Sequence, residues 1–465
     1  TFTFNGFRYA EITGAPDLAL ADVTALVLSS DLPRTGWFES SDALVDRLHE
    51  NVVWSMRGNF LDLPTDCPQR DERLGWTGDI QVFAPTAATL FDTAGFLAGW
   101  LEDLAAEQHP DGGVPYVIPD VLRADEPAAA AWSDAATIVP SALFLSYADR
   151  ATLERQYPSM RAWVEKVASL AGDDHLWNSG FQFGDWLDPT APPEDPAKAA
   201  ADPYVVATAY FARSAGLLAA AAATLGHSDD AEKYSSLADR IIEAFNHEYV
   251  TPGGRVLSDC QTVYALALCW NLIVDETARR AAGSRLVELV IAAEHRVATG
   301  FVGTPLILDA LCVAGRPDVA HRMLLETASP SWLYSVTMGA TTIWERWDSM
   351  LPDGSVNPGT MTSFNHYAYG AVADWLHRRV GGLAPAAPGW KRVTVRPLIT
   401  GQLTHARVAV DTPYGRVESA WRIDDGRVHL DLEIPYGVEA EVWVPGADAA
   451  VTVGLGTHRF TGELP

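Results

Sequence analysis

At 465 residues the chain exceeds one ordinary domain, and with 48% hydrophobic residues it can bury a sizeable core. Its 60 acidic against 33 basic residues give a formal net charge of −27, which repels nucleic-acid phosphates and anionic membrane surfaces and favours a neutral substrate. No stretch reaches the roughly 18 uninterrupted apolar residues expected of a membrane span. Cys67, Cys260, Cys269 and Cys312 have neither zinc-site spacing nor disulfide density, so a reducing, cytoplasmic compartment is expected.

Residues 1–38 read as strands, because Phe2 and Phe4, then Val23, Ala25 and Val27, alternate at period two with Asn5-Gly6 as a turn signal. They predict the last strands of an upstream β-domain, or a linker. From Ser40 the period changes to helical. Ser41 is the expected N-cap of a helix carrying Leu44, Val45, Leu48, Val52 and Met56. Further helices are expected at about 79–91, 94–108, 133–148, 151–171, 203–226, 229–247, 260–273, 275–293, 304–314, 316–327 and 363–379. About twelve helices joined as hairpins by short links predict an (α/α)6 toroid over 39–381. The long segments 57–78, 109–132, 172–202, 248–258 and 328–362 would gather on one face, where Trp and charge concentrate. After Gly381-Gly382 and a Pro-rich linker, period two returns, and Asp424-Asp425-Gly426 marks a hairpin. An antiparallel β-sandwich over 382–465, serving as a structural cap, is expected.

The densest chemistry lies in Asp66-Cys67-Pro68-Gln69-Arg70-Asp71-Glu72-Arg73-Leu74-Gly75-Trp76-Thr77-Gly78-Asp79, which Pro64, Pro68, Gly75 and Gly78 mark as a loop. Asp71 beside Glu72 supplies a like charge that favours one protonated carboxyl, while Arg70 and Arg73 act the other way. A second block, Ala340-Thr341-Thr342-Ile343-Trp344-Glu345-Arg346-Trp347, sets one Glu between two indoles that can raise its pKa. Paired carboxylates across a cleft are what glycosidic bond cleavage needs. In Ser363-Phe364-Asn365-His366, Thr362 or Ser363 is the expected cap of the last helix, whose dipole would keep His366 neutral. Asp134 is expected in a helix first turn after Trp132. Phe183-Gly184-Asp185-Trp186-Leu187-Asp188 offers Trp186 as a platform, and Asp111-Gly112-Gly113 reads as a turn.

Together the 66–79 run, the Trp344-Glu345-Arg346-Trp347 block and Phe364-Asn365-His366-Tyr367 resemble glycoside hydrolase family 78, the bacterial α-L-rhamnosidases. Gly6-Phe7-Arg8-Tyr9 and the terminal sandwich fit the same family. The resemblance implies an (α/α)6 hydrolase that releases terminal α-L-rhamnose with inversion, Glu72 acting as general acid and Glu345 as general base. It also implies that Asp66, Arg70, Asp79 and His366 hold sugar hydroxyls, and that Trp76, Trp132 and Trp186 wall the ring. Rhamnose-containing glycosides are the expected partners, with no cofactor and no metal. Two other readings compete: a sugar phosphorylase on the same toroid and a non-catalytic glycan-binding protein. The family usually carries β-domains before the toroid, of which only the last strands are expected here.

Overall fold

The computed structural model describes residues 4–68, 70, 72–192, 194–359 and 361–464. Phe2, Gln69 and Asp71 lie outside the described residues, and with them the like charge expected beside Glu72.

Among the described residues, twelve hairpin-forming helical segments form two layers. The outer helices are α1 (Ala43–Asn59), α3 (Ala94–Glu107), α5 (Arg150–Ala171), α7 (Ser228–Tyr249), α9 (Glu276–Ala292) and α11 (Pro317–Leu324). The inner ones are α2 (Thr77–Leu90), α4 (Ala135–Tyr147), α6 (Pro203–Leu225), α8 (Gln261–Cys269), α10 (Thr304–Val313) and a last segment from Ala368 to Val380. That segment passes from a 3-10 turn through α13 (Val372–Trp375), with α12 (Trp332–Thr337) preceding it in the chain, into a π-turn. Each inner helix packs on the next, and α13 returns to α2, so the ring closes.

Local chemistry sets the helix ends. Asp42, rather than the expected Ser41, caps α1 by accepting Leu44 and Val45 N–H, while Ser41 accepts the N–H of Thr404. Asp202 caps α6 ahead of Pro203, and Gly226 ends it at φ 89°. By length and composition α6 could cross a membrane, but 78% of its most apolar window is buried, as a closed ring demands of an inner helix. The last inner helix starts at Ala368, beyond the expected Thr362 or Ser363 cap, and Ser363 Oγ accepts Asn365 N–H instead. The long link 325–367 also holds the unexpected α12.

Links from inner to outer helices are short, as at Ala148-Asp149 and Gly226-His227, whereas outer-to-inner links are long. All six inner N-termini therefore face the long-loop side, a sixth long link at 293–303 included.

The expected N-terminal strands do not form among residues 4–33, where Phe7, Tyr9, Leu20 and Leu26 are exposed. Alternation alone gave them no partner edge. The strand that does form, β1 (Gly36–Ser40), pairs antiparallel with β6 (His405–Thr412). It edges a sheet ordered β1-β6-β7-β8-β11, completed by β7 (Gly415–Asp424), β8 (Arg427–Ile434) and β11 (Gly456–Glu463). Asp425 and Gly426, both at positive φ, turn β7 into β8 with Asp424 opposite Arg427. A second sheet runs β10 (Val451–Val453), β9 (Glu439–Val442), β5 (Arg392–Val395), β4 (Leu383–Pro385). In it β5 and β9 are parallel, a departure from the all-antiparallel expectation. A two-residue ribbon, β2 (Phe60–Leu61) with β3 (Leu63–Pro64), starts the first long link.

The sandwich sits on the short-link side. Trp421 Nε1 donates to Val380 O at 2.7 Å, Ser419 Oγ to Gly381 O, and Gln402 to Asp318 O. The cap thus lies at the C-terminal ends of the inner helices, away from the long loops.

Candidate active site

The first long link enters α2 through a loop closed on Asp66, whose Oδ1 accepts Leu74 N–H at 2.9 Å and whose Oδ2 accepts the Cys67 thiol at 2.6 Å. Glycine is required twice. A Cβ on Gly75 would stand 2.1 Å from Ile118 O, and one on Gly78 would stand 2.5 Å from the Trp132 indole. Gly78 therefore does not break a helix. It lies inside the first turn of α2 and lets Trp132 lie against it, which places Asp79 beside Trp132 at the ring's mouth.

All nine residues given catalytic or sugar-binding roles by the resemblance line one cavity: Asp66, Arg70, Glu72, Trp76, Asp79, Trp132, Trp186, Glu345 and His366. Phe183, Phe301 and Met361 line it too. Phe183 stacks on Trp132 at 4.2 Å and meets Trp76 and Trp186 edge-on, so the walls form one aromatic sleeve. The only signal for Phe301 was its place between Gly300 and Gly303, which also describes an ordinary turn.

Arg70 organises the polar side. Its terminal nitrogens contact Glu345 at 2.7 and 3.1 Å, and its Nε donates to Glu72 at 2.8 Å. One guanidinium thus lies between two carboxylates from distant links. Glu72 also accepts Trp76 Nε1 at 2.8 Å. Glu345 is held by its own N–H on Ser363 O, while Trp344 packs behind the loop on Tyr334 and Phe364. Trp347 stacks on Tyr369 at 4.2 Å. Neither flanking indole lines the cavity, and the group that Glu345 meets there is Arg70. Arg346 turns away to Asp348.

His366 corrects a second expectation. It precedes the helix, and its Nε2 lies 3.1 Å from Asp79 Oδ1, both groups being buried. Burial alone pulls the imidazolium down, but Asp79, Glu345 and Asp66 outweigh it and hold the pKa up to about 9. His366 is therefore cationic at neutral pH. Burial pushes Asp66 up to about 7 against the pull of His366, and it raises Asp79 as well.

Ligand atoms of Asp66, Cys67 and Glu72 lie within 4.8 Å of one another, a spacing open to a cation. Burial, then Asp66, push the Cys67 thiol far up, so it stays a neutral donor and a poor ligand. The looser motifs are structural. Asp134 is the N-cap residue of α4 but makes no side-chain bond to the helix N–H groups; it is buried and accepts Trp163 Nε1 at 2.9 Å, Ser214 Oγ at 2.5 Å and Ala131 N–H at 2.8 Å, fixing the turn that presents Trp132. Asp111 closes a turn on Gly113 N–H.

The chain matches the model of the bacterial α-L-rhamnosidase six-hairpin glycosidase domain over residues 33–380 and that of the C-terminal domain over 382–459. It is 42% identical to an α-L-rhamnosidase of Streptomyces avermitilis over 99% of this chain and 45% of the relative. It is 37% identical to one of Formosa agariphila over 99% and 50%. Among solved structures, native α-L-rhamnosidase from Aspergillus terreus superposes with a TM-score of 0.92 at 44% identity, covering 94% of this chain and 51% of that one. The Streptomyces avermitilis α-L-rhamnosidase complexed with L-rhamnose gives 0.86 at 40%, covering 94% and 43%. The chain spans about half the length of the curated relatives it matches. With a closed six-hairpin ring, a cap sandwich and both domain models matched in series, the chain belongs to the bacterial α-L-rhamnosidase family.

Proposed function

We propose that the protein hydrolyses terminal α-L-rhamnosides with inversion of configuration. The observation that carries this reading is the pair of carboxylates, Glu72 and Glu345, facing each other across Arg70 inside an aromatic sleeve. When the sugar enters, Glu72 protonates the glycosidic oxygen while Glu345, nearly fully buried, takes a proton from water on the opposite face. Inversion needs roughly 6.5–9.5 Å between the two carboxyls, room for that water. Asp66, Asp79 and the His366 cation offer charge-assisted hydrogen bonds to ring hydroxyls, and Trp76, Trp132 and Trp186 cover apolar faces.

Phosphorolysis fits less well. The one arginine lining the cavity, among the described residues, is already committed to Glu72 and Glu345. A pure binding module has no use for both carboxylates. Cleavage of p-nitrophenyl α-L-rhamnoside, beside a panel of other p-nitrophenyl glycosides, tests the proposal: release from the rhamnoside in plain buffer is expected. Release only with added phosphate, or binding without cleavage, contradicts it.

A further inference from the structure

Asp185 takes no part in the chemistry above, yet it is fully buried and its carboxylate is saturated with donors. Oδ1 accepts the N–H groups of Val302 at 2.9 Å and Gly303 at 3.0 Å, and Oδ2 accepts Gly300 N–H at 2.8 Å and the Thr262 hydroxyl. The partners belong to two other parts of the chain, the link entering α10 and the first turn of α8. An ionised carboxylate only accepts, so four donors fill about its whole capacity, and three backbone N–H groups ahead of a helix form an anion-holding nest.

The same contact fixes two cavity walls. Phe301 N–H donates to Trp186 O at 2.8 Å, and a Cβ on Gly300 would stand 2.2 Å from Trp186 O and 2.3 Å from Asp185 O. Trp186 and Phe301 both line the cavity, and Phe301 also touches the His366 ring, with centroids 5.1 Å apart. The spacing of these two aromatics is thus set from behind by one side chain that never reaches the cavity.

We propose that Asp185 is a positioning residue whose buried carboxylate clamps the 183–188 and 299–303 segments together, holding Trp186 and Phe301 at the spacing that grips the terminal sugar. The clamp governs affinity for that sugar rather than the rate of bond cleavage, because neither wall carries a proton or a nucleophile. The identity of the sugar rests on the rhamnosidase reading; the clamp itself does not.

The test compares Asp185→Asn, Thr262→Val and Gly300→Ala in the full chain. The first sets amide donors among backbone donors, the second removes one hydrogen bond, and the third forces the segments apart without touching the carboxylate. Asp185→Asn should raise KM for p-nitrophenyl α-L-rhamnoside and Ki for free L-rhamnose together, by about tenfold, with kcat within about threefold. Amide hydrogen exchange at 300–303 should accelerate about tenfold or more. Thr262→Val and Gly300→Ala should shift KM and Ki in the same direction, and they carry the test if Asp185→Asn does not fold. Unchanged KM and Ki, or a loss confined to kcat or to melting temperature, overturns the proposal. If the parent protein neither cleaves nor binds rhamnosides, the functional reading falls, and the exchange measurement still decides the clamp: unchanged protection at 300–303 overturns it.

Discussion

At the scale of single residues, the site turns on which charges oppose Glu72 and Glu345. Arg70 joins them, pairing with both carboxylates. Glu72→Gln should lose most activity on poor leaving groups and much less on activated aryl rhamnosides, which scarcely need protonation. Glu345→Gln should lose roughly 10²–10⁴-fold on both, since water must be activated whatever departs. Equal losses of both variants on both substrates contradict the assignment. His366 yields a prediction with a definite sign: its pKa is raised above the ordinary 6.5 to about 9, so its stabilising charge is fully present below 6.5 and is lost as pH rises through 9. Melting temperature should fall between pH 7 and 10 in the parent and less in His366→Gln, and parallel falls contradict it. EDTA should leave turnover unchanged, given the neutral Cys67 thiol in the one such cluster among the described residues; activity restored by one added cation contradicts this. Asp66, Glu72, Trp76, Asp79 and Glu345 were legible because they sit in dense motifs, whereas Trp132 and Trp186 came from looser matches to the family pattern. The charge of His366 was not legible, since Asp79 and Asp66, which with Glu345 hold its pKa up, stand in α2 and the first long link, far away in sequence. Phe301 and Met361 were not legible either, because a lone apolar residue in a loop carries no mark of the cavity it faces.

At the scale of elements, the hairpin order was legible because short and long links alternate and the apolar stripes repeat at helical spacing. Boundaries failed where tertiary contacts overrode local signals. Gly78 looks like a breaker but is demanded by the Trp132 ring, and the strand alternation near residue 25 has no neighbouring edge to pair with. The joint between ring and sandwich is tightly packed: a Cβ on Gly381 would meet Val408 Cγ1 at 2.5 Å and Cβ at 2.6 Å. Gly381 has an ordinary negative φ, so packing alone is at stake. Gly381→Ala should therefore destabilise by about 1–3 kcal/mol in denaturant unfolding while leaving KM unchanged. A raised KM with unchanged stability contradicts the view that the cap is remote from the site.

At the scale of the whole molecule, the closed ring explains why the chemistry sits where it does. Six inner helices start on one face, their N-terminal ends bring positive potential to a mouth rich in carboxylates, and the sandwich covers the opposite ends. With a net charge of −27, such a molecule repels polyanions. The toroid and the cap could be expected from the sequence because both rest on periodicity, whereas the antiparallel pairing of β1 with the last domain joins residues about 370 apart and has no local signature. Under the proposed mechanism Glu72 and Glu345 act as acid and base on opposite faces of the sugar. Proton NMR of the first rhamnose released from an α-L-rhamnoside tests it most directly: the β-anomer should appear first and then mutarotate, and initial release of the α-anomer would contradict inversion and the role of Glu345 as base.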